Sequence, residues 1–160
     1  MGPIKTMRLG IHAAIKACPG LSSAVVIDAL DTRHVEALAK EKFPETSIVV
    51  VWDGVRAEGA PSLGGRAPED QRHRWIIVIA AGEYRSATGV METPGRGLEE
   101  TWEALFDKAT GLRTRSIATI SDETVYLEHE TTKLETPPDR GPEGGRAFFV
   151  TRWKTSEMLG

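Results

Sequence analysis

The stretch SDETVYLEHETTK, residues 121–133, carries acids and a lysine, the side chains with which metal-dependent nucleases hold a metal ion and orient water. Its candidate ligands are Asp122, Glu128 and Glu130, and Lys133 follows them. Alternate residues of a strand share a face, so Glu128 and Glu130 are expected to point the same way. The Asp/Glu-x-Lys spacing common in such enzymes is missing, however, because Glu130 and Lys133 are one residue too far apart. A solvated strand face explains the charges more simply.

The other candidate ligands and nucleophiles are scattered along the chain. No two histidines have the spacing of metal ligands on a helix, and no Cys-x-x-Cys occurs. The single cysteine, Cys18, ends an apolar helical stripe and is expected in the core. A metal site would therefore need ligands gathered from distant strands, and the sequence contains no motif for one. The histidines, each interpreted as structural or as a surface residue, are His12, His34, His73 and His129.

A long polar segment, RAEGAPSLGGRAPEDQRHRW over 56–75, lies between two apolar runs. It has the glycines of a phosphate-binding loop, but it lacks Gly-Lys-Ser/Thr and precedes a strand instead of a helix. Two interpretations stay open: a solvated tip, and an arm that docks on carboxylates of a partner through its arginines. The predicted interface residues are Arg56, Glu58, Arg66, Glu69, Asp70, Arg72 and Arg74.

Composition sets the broad class of the protein. A chain of 160 residues with 40% hydrophobic and 27% charged residues suits one folded domain. Its net charge of -3 disfavours general nucleic-acid binding, which depends on neutralised phosphates. One cysteine fits a reducing compartment, and no apolar run is long enough to cross a bilayer. We expect a protein of the cell interior without a membrane partner.

Hydrophobic spacing predicts the elements that position these residues. Apolar residues from Ile4 to Cys18 recur every three or four positions, which predicts a helix over 3–17. A second clear helix is predicted in ETPGRGLEETWEALFDKATG, with its apolar face running from Leu98 to Ala109 and Gly111 as its C-cap. A short helix is predicted over 33–42. Strands are predicted at 22–28, 47–53 and 73–81 and in RSIATI, ETVYLEHETTKLE and RAFFVTRWKT.

These elements predict one α+β domain over 1–154, followed by a tail over 155–160. We expect two layers: a mixed, mainly antiparallel sheet with helices packed on one face. Consecutive strands usually pair, so the strands around the polar segment predict a β-hairpin with an extended loop over 54–73. A Pro/Gly loop over 136–145 precedes the last strand.

The order of these segments resembles the tail-terminator and minor tail proteins of long-tailed bacteriophages, including the Mu-like ones. The likeness covers residues 4–154. Its parts are a helix ending in ACPGL, the strand SIVVVWD with a Gly/Pro-rich insertion after it, and then RHRWIIVIAA, GRGLEETWEALFDKATGL and RAFFVTRWKT. It consists of an order of elements with hydrophobic matches and contains no signature motif.

The resemblance implies an α/β fold that assembles as a hexameric ring, a structural protein without catalysis or cofactor. Such a ring caps the head-proximal end of the tail tube, stops tube growth and binds the head connector, while DNA passes through its lumen. The implied location is the virion tail, assembled in the host cytoplasm. The hairpin arm then contacts a neighbouring subunit or the tube, and acidic stretches such as EETWE or DETVYLEHE supply the complementary patch. The alternatives are another head-tail joining or minor tail protein, and a small metal-dependent nuclease or hydrolase using Asp122, Glu128 and Glu130.

Overall fold

The protein is described from a computed structural model. The structure describes residues 2–29, 47–57, 71–80, 98–135 and 148–156. The helix predicted over 33–42 and the loop over 136–145 lie outside these residues.

The described elements follow the predicted order. The helices are α1 (Pro3–Ala17) and α2 (Leu98–Leu105), and a short 3-10 turn follows at Leu112–Thr114. The strands are β1 (Val25–Ala29), β2 (Ser47–Ala57), β3 (Gln71–Ala80), β4 (Ser116–Ile120), β5 (Glu123–Glu135) and β6 (Phe148–Thr155).

The strands form one six-stranded sheet in the order β1-β2-β3-β6-β5-β4. β1 runs parallel to β2, and every other neighbouring pair is antiparallel. The prediction of an α+β fold with a mainly antiparallel mixed sheet is confirmed, as is the β2–β3 hairpin. Helix α1 packs on β4 and also contacts β2. In the sheet order, β4 is the sixth strand and β2 is the second, and one helix reaches both because the sheet curls around it.

The main core lies between the two helices and one face of the sheet. The predicted stripe of α1 is confirmed: Met7, Ile11 and Ile15 are fully buried. They pack with large side chains of the central strands, including Trp75 of β3 and Trp153 of β6. A helix with this periodicity contributes its stability through the buried face and little through its own backbone bonds.

The opposite face of the sheet has a second apolar cluster. Val49 and Val51 of β2 meet Ile76 and Val78 of β3, and all four are nearly inaccessible to solvent. The central strands are thus buried on both faces, which explains why their sequences are continuously apolar instead of alternating.

Helix α1 approaches β4 at Gly10. A Cβ atom at this position would overlap with the backbone carbonyl group of Ile117. Ile117 is the residue at which the pairing of β4 with β5 is irregular, so the helix covers an edge strand at a point where its ladder is interrupted. Covering an edge with a helix protects it from pairing with another chain.

The loop predicted over 54–73 is too long, because β2 continues to Ala57 and β3 begins at Gln71. Two further predicted boundaries are wrong. Helix α2 ends at Leu105 instead of continuing past Ala109, because the Asp107 carboxylate accepts hydrogen bonds from the backbone N–H groups of Ala109 and Thr110 at 2.8 and 2.9 Å. Such Asx turns compete with helix continuation. Gly111 therefore precedes the 3-10 turn and does not cap the helix. Strand β1 starts at Val25, after a turn in which the Ala24 N–H bonds the Leu21 carbonyl.

Candidate interaction surfaces

Two arginine–glutamate pairs cross the sheet on the face away from the helices. Arg72 Nη1 donates to Glu128 Oε2 at 2.6 Å, and Arg74 Nη1 donates to Glu130 Oε1. The arginines belong to β3 and the glutamates to β5, so both pairs span the intervening strand β6. The arginine side chains are only 15% and 14% exposed, against 49% and 28% for the glutamates.

A β-bulge in β5 determines which side chains share this face. The pairing with β6 shifts between His129 and Thr131, so Glu130 is the extra residue. The prediction that Glu128 and Glu130 point the same way is confirmed, since both reach arginines of one strand. Beyond the bulge the alternation is reversed, and Lys133 lies opposite Val150, on the same face as the two glutamates.

Three of the seven predicted interface residues lie in the described part of the chain, and four lie outside it. Arg72 and Arg74 lie in β3 and bind glutamates of their own chain. Arg56 lies in β2 at the register position opposite Arg72. The other four lie outside the described residues, and contact of any of the seven with another molecule stays a prediction. These four are Glu58, Arg66, Glu69 and Asp70.

The outer end of the β2–β3 hairpin has a bend and a polar contact. Pairing is irregular between Trp52 and Val55, where Gly54 adopts a φ of +95° that favours glycine. Trp52 Nε1 donates to His73 Nδ1 at 3.2 Å, so this histidine nitrogen is unprotonated. Burial lowers the pKa of His73, in agreement with a neutral ring.

A second polar cluster ties α1 to β1. Asp28 Oδ1 lies 2.7 Å from His12 Nε2 and 3.7 Å from Arg8 Nε. The Arg8 guanidinium also lies over the Trp75 ring, 5.8 Å from its centroid. Asp28 therefore links this flank of α1 to β1 through polar contacts.

His129 lies in an aromatic cluster. Its ring meets Phe106 edge-on at 4.7 Å between centroids and Trp153 at 5.2 Å, and Nε2 lies 2.7 Å from Thr132 Oγ1. Burial is the largest cause that lowers the pKa of His129. Its environment favours a neutral structural ring.

The residues of the hydrolase alternative are not gathered into one site. Asp122 is in the β4–β5 turn, with a φ of 65°, whereas Glu128 is six residues along β5, about 20 Å away at the rise of a strand. In the described ranges, no three His, Cys, Asp or Glu side chains are placed to hold a metal ion. Cys18 is buried as expected, donates to the Ala14 carbonyl at 3.3 Å, and has a pKa raised by burial.

The fold and these clusters define a single class, an α+β domain with charged surfaces. No protein-family model matches the chain, and the search of curated proteins gave no match. Within the described residues, no helix has the length and apolar character needed to cross a membrane.

One feature of the helices escaped the sequence-based prediction. Lys5, Leu9 and Lys16 of α1 are exposed and lie on one side of the helix, but none was singled out as a candidate. The available signal was the absence of any acidic residue in 3–17.

Proposed function

We propose that this chain is a structural subunit of a bacteriophage tail, the terminator that closes the head-proximal end of the tail tube as a ring. Its partners are further copies of itself, six in the ring that the resemblance implies, together with the tube protein and the head-tail connector. DNA passes through the lumen without specific binding. A net charge of -3 fits such passage, because few phosphate contacts would form.

The observation that carries the proposal is the extended β2–β3 hairpin. Its strands have 11 and 10 residues and stay paired as far as Ala57 and Gln71. Residues 58–70 therefore leave and re-enter the sheet at the same place, beyond the bend at Gly54. A ring subunit needs a surface that reaches its neighbour and a different surface that receives it. We assign the surface that reaches the neighbour to the outer end of the hairpin.

The outer end of the hairpin is well held, which supports its role in carrying the arm, residues 58–70. Arg72 and Arg74 anchor β3 to β5, and His73 N–H donates to Thr155 Oγ1 of β6 at 3.0 Å. Side chains fixed in this way hold the paired end of the hairpin in one direction, which lowers the entropic cost of docking.

The first test is electron microscopy and sedimentation of the purified chain, alone and with tail tubes. We expect rings, or capping of tube ends. A chain that stays monomeric alone and leaves tubes uncapped would contradict the proposal. Binding along tube sides, or only to connectors, would favour a minor tail or joining protein instead.

The second test removes the arm. Because Ala57 and Gln71 are paired, residues 58–70 can be replaced by Asn-Gly, which closes a two-residue hairpin. We expect an unchanged fold by circular dichroism and weaker assembly. A matched control replaces 58–70 with a Gly/Ser segment of equal length, which keeps the reach and removes the side chains. Wild-type assembly by both variants would contradict a role for the arm.

A further inference from the structure

The two described helices carry opposite charges. Helix α1 has Lys5, Arg8 and Lys16 and no acidic residue, whereas α2 has three glutamates, beginning at Glu99, and no basic residue. Both helices lie on the same side of the sheet, and both have exposed outer sides. The subunit therefore presents one basic and one acidic helix surface.

The outer side of α1 forms a continuous stripe. Lys5, Leu9 and Lys16 follow one another by four and seven residues, spacings that place them on one side of a helix about 16 Å from end to end. All three are exposed, and Leu9 has the largest exposed fraction of any large apolar residue described, at 52%. An exposed leucine between two lysines is typical of a contact surface with an apolar centre and a charged rim.

The outer side of α2 is the acidic counterpart. Glu99 and Glu103 are four residues apart and exposed, so their carboxylates repel each other along the helix. The partly exposed rings of Trp102 and Phe106 stack at 4.6 Å beside them. This surface offers apolar rings for a leucine and carboxylates for lysines.

Helix dipoles explain only half of these charges. Lys16 in the last turn of α1 and Glu99 in the first turn of α2 are where the dipole favours them. Lys5 lies near the start of α1 and Glu103 near the end of α2, where the helix dipole makes their charges unfavourable. A partner outside the helix would offset that cost.

The described part of the subunit offers no such partner. Asp28 is paired with Arg8 and His12, and Glu128 and Glu130 of β5 are paired with arginines of β3. Among the described residues, no ion pair involves Lys5, Lys16, Glu99 or Glu103.

We propose that the α1 outer surface, Lys5, Leu9 and Lys16, docks on the α2 outer surface, Glu99 and Glu103, of a second copy of this chain. The proposal deepens the ring and rests on it. The contact is heterologous, because each copy keeps a free surface of the opposite sign for a third copy, and such contacts close into rings. The two helix surfaces are smaller than an interface of standard size, so other parts of the subunit must add contact area. The role of the helix charges is to determine which surfaces meet.

Charge reversal tests this contact. Variant one carries Lys5→Glu and Lys16→Glu, and variant two carries Glu99→Lys and Glu103→Lys. Each exchanges one favourable and one unfavourable dipole position, so helix stability should change little. We expect each variant alone to self-associate at least about tenfold more weakly than the wild type in analytical ultracentrifugation.

Mixing the variants is the decisive step. Variant one presents two acidic helix surfaces and variant two presents two basic ones, so they should assemble with each other in alternation. A chain carrying all four reversals should self-associate as the wild type does, because the sign of every contact is exchanged together. Failure of both the mixture and the fourfold variant to recover association, with melting curves like those of the wild type, would overturn the proposal.

The outcomes also separate this contact from the proposed function. If the wild type, variant one and variant two all form rings, the helix contact is overturned and the proposal of a ring stands. Wild-type chains that neither form rings nor cap tubes would contradict the ring, and a lack of wild-type self-association would overturn the helix contact too. A control variant, Thr119→Lys, adds a charge at an exposed position of β4, outside both helix surfaces, and should leave association within about twofold of the wild type.

Discussion

The two faces of the sheet are built from the same strands but are held in different ways. Along β3, Trp75 and Ile77 face the helices, whereas Ile76 faces the other way. The helix-covered face is mainly apolar, but the opposite face changes from valines and isoleucines to charged pairs at Arg74 and Arg72. The first face depends on buried area and shape, and the second combines a small apolar cluster with ion pairs. The fold thus separates its main core from the surface that anchors the hairpin.

Neighbouring isoleucines of β3 give the most direct test of this comparison. Ile77 and Ile76 are both about 1% exposed or less, but they point to opposite faces. We expect Ile77→Ala to lower the free energy of unfolding by about 4 kcal/mol, and Ile76→Ala by about 2 kcal/mol. The larger cluster around Ile77 cannot relax into the space left, whereas the smaller one lies beside polar side chains. Urea denaturation measures both, and equal losses would contradict the distinction.

The close approach of α1 to β4 predicts the next largest effect. Replacing an ordinary helical glycine by alanine raises the free energy of unfolding, by up to about 1 kcal/mol. Gly10→Ala should instead destabilise by about 3 kcal/mol, because its Cβ meets the backbone of Ile117 and not a mobile side chain. Ala13→Ser on the exposed side of the helix is the control, with an expected loss of about 0.5 kcal/mol. A higher melting temperature for Gly10→Ala would show that the helix does not touch the strand edge.

The ion pairs of the opposite face predict a smaller coupling. In double-mutant cycles with Arg→Met and Glu→Gln changes, the Arg74–Glu130 pair should couple by about 1 kcal/mol and the Arg72–Glu128 pair by about half of that. The difference follows from Glu128, which is 49% exposed against 28% for Glu130. Both couplings should fall in 1 M salt. Values unchanged by salt would mean that shape, and not charge, holds this face.

The smallest expected effect is on the pH dependence of stability. Burial lowers the pKa of His73 and His129 in the folded state, so the unfolded chain takes up protons first as the pH falls. Their contribution is therefore complete above the ordinary value of 6.5 and declines below it. A double variant, His73→Asn and His129→Gln, should show a flatter stability profile between pH 7.5 and 5.5 than the wild type. An identical slope for the two proteins would contradict neutral, partly desolvated rings.

Much of the fold could be predicted because its signals are local. The apolar stripe of α1 predicted the helix, Pro3 and Pro19-Gly20 indicated its boundaries, and the lack of alternation in β2 and β3 indicated central strands. The end of α2 was missed because Asp107 forms a turn that helical periodicity does not register. The acids in β5 were correctly placed on one face, but the bulge that brings Lys133 to that face is a property of pairing with β6.

By itself, the sequence determined the class of fold, the pairing of β2 with β3 and the main core, since periodicity and strand propensity act over a few residues. Only the tertiary structure decided that Arg72 reaches Glu128 across 56 residues of chain, and that α1 meets the edge of β4 at Gly10. The order and register of strands distant in sequence set those contacts. Between strands distant in sequence, register depends on which residues of several strands share a buried face and on bulges such as the one at Glu130, and neither can be read from one strand alone.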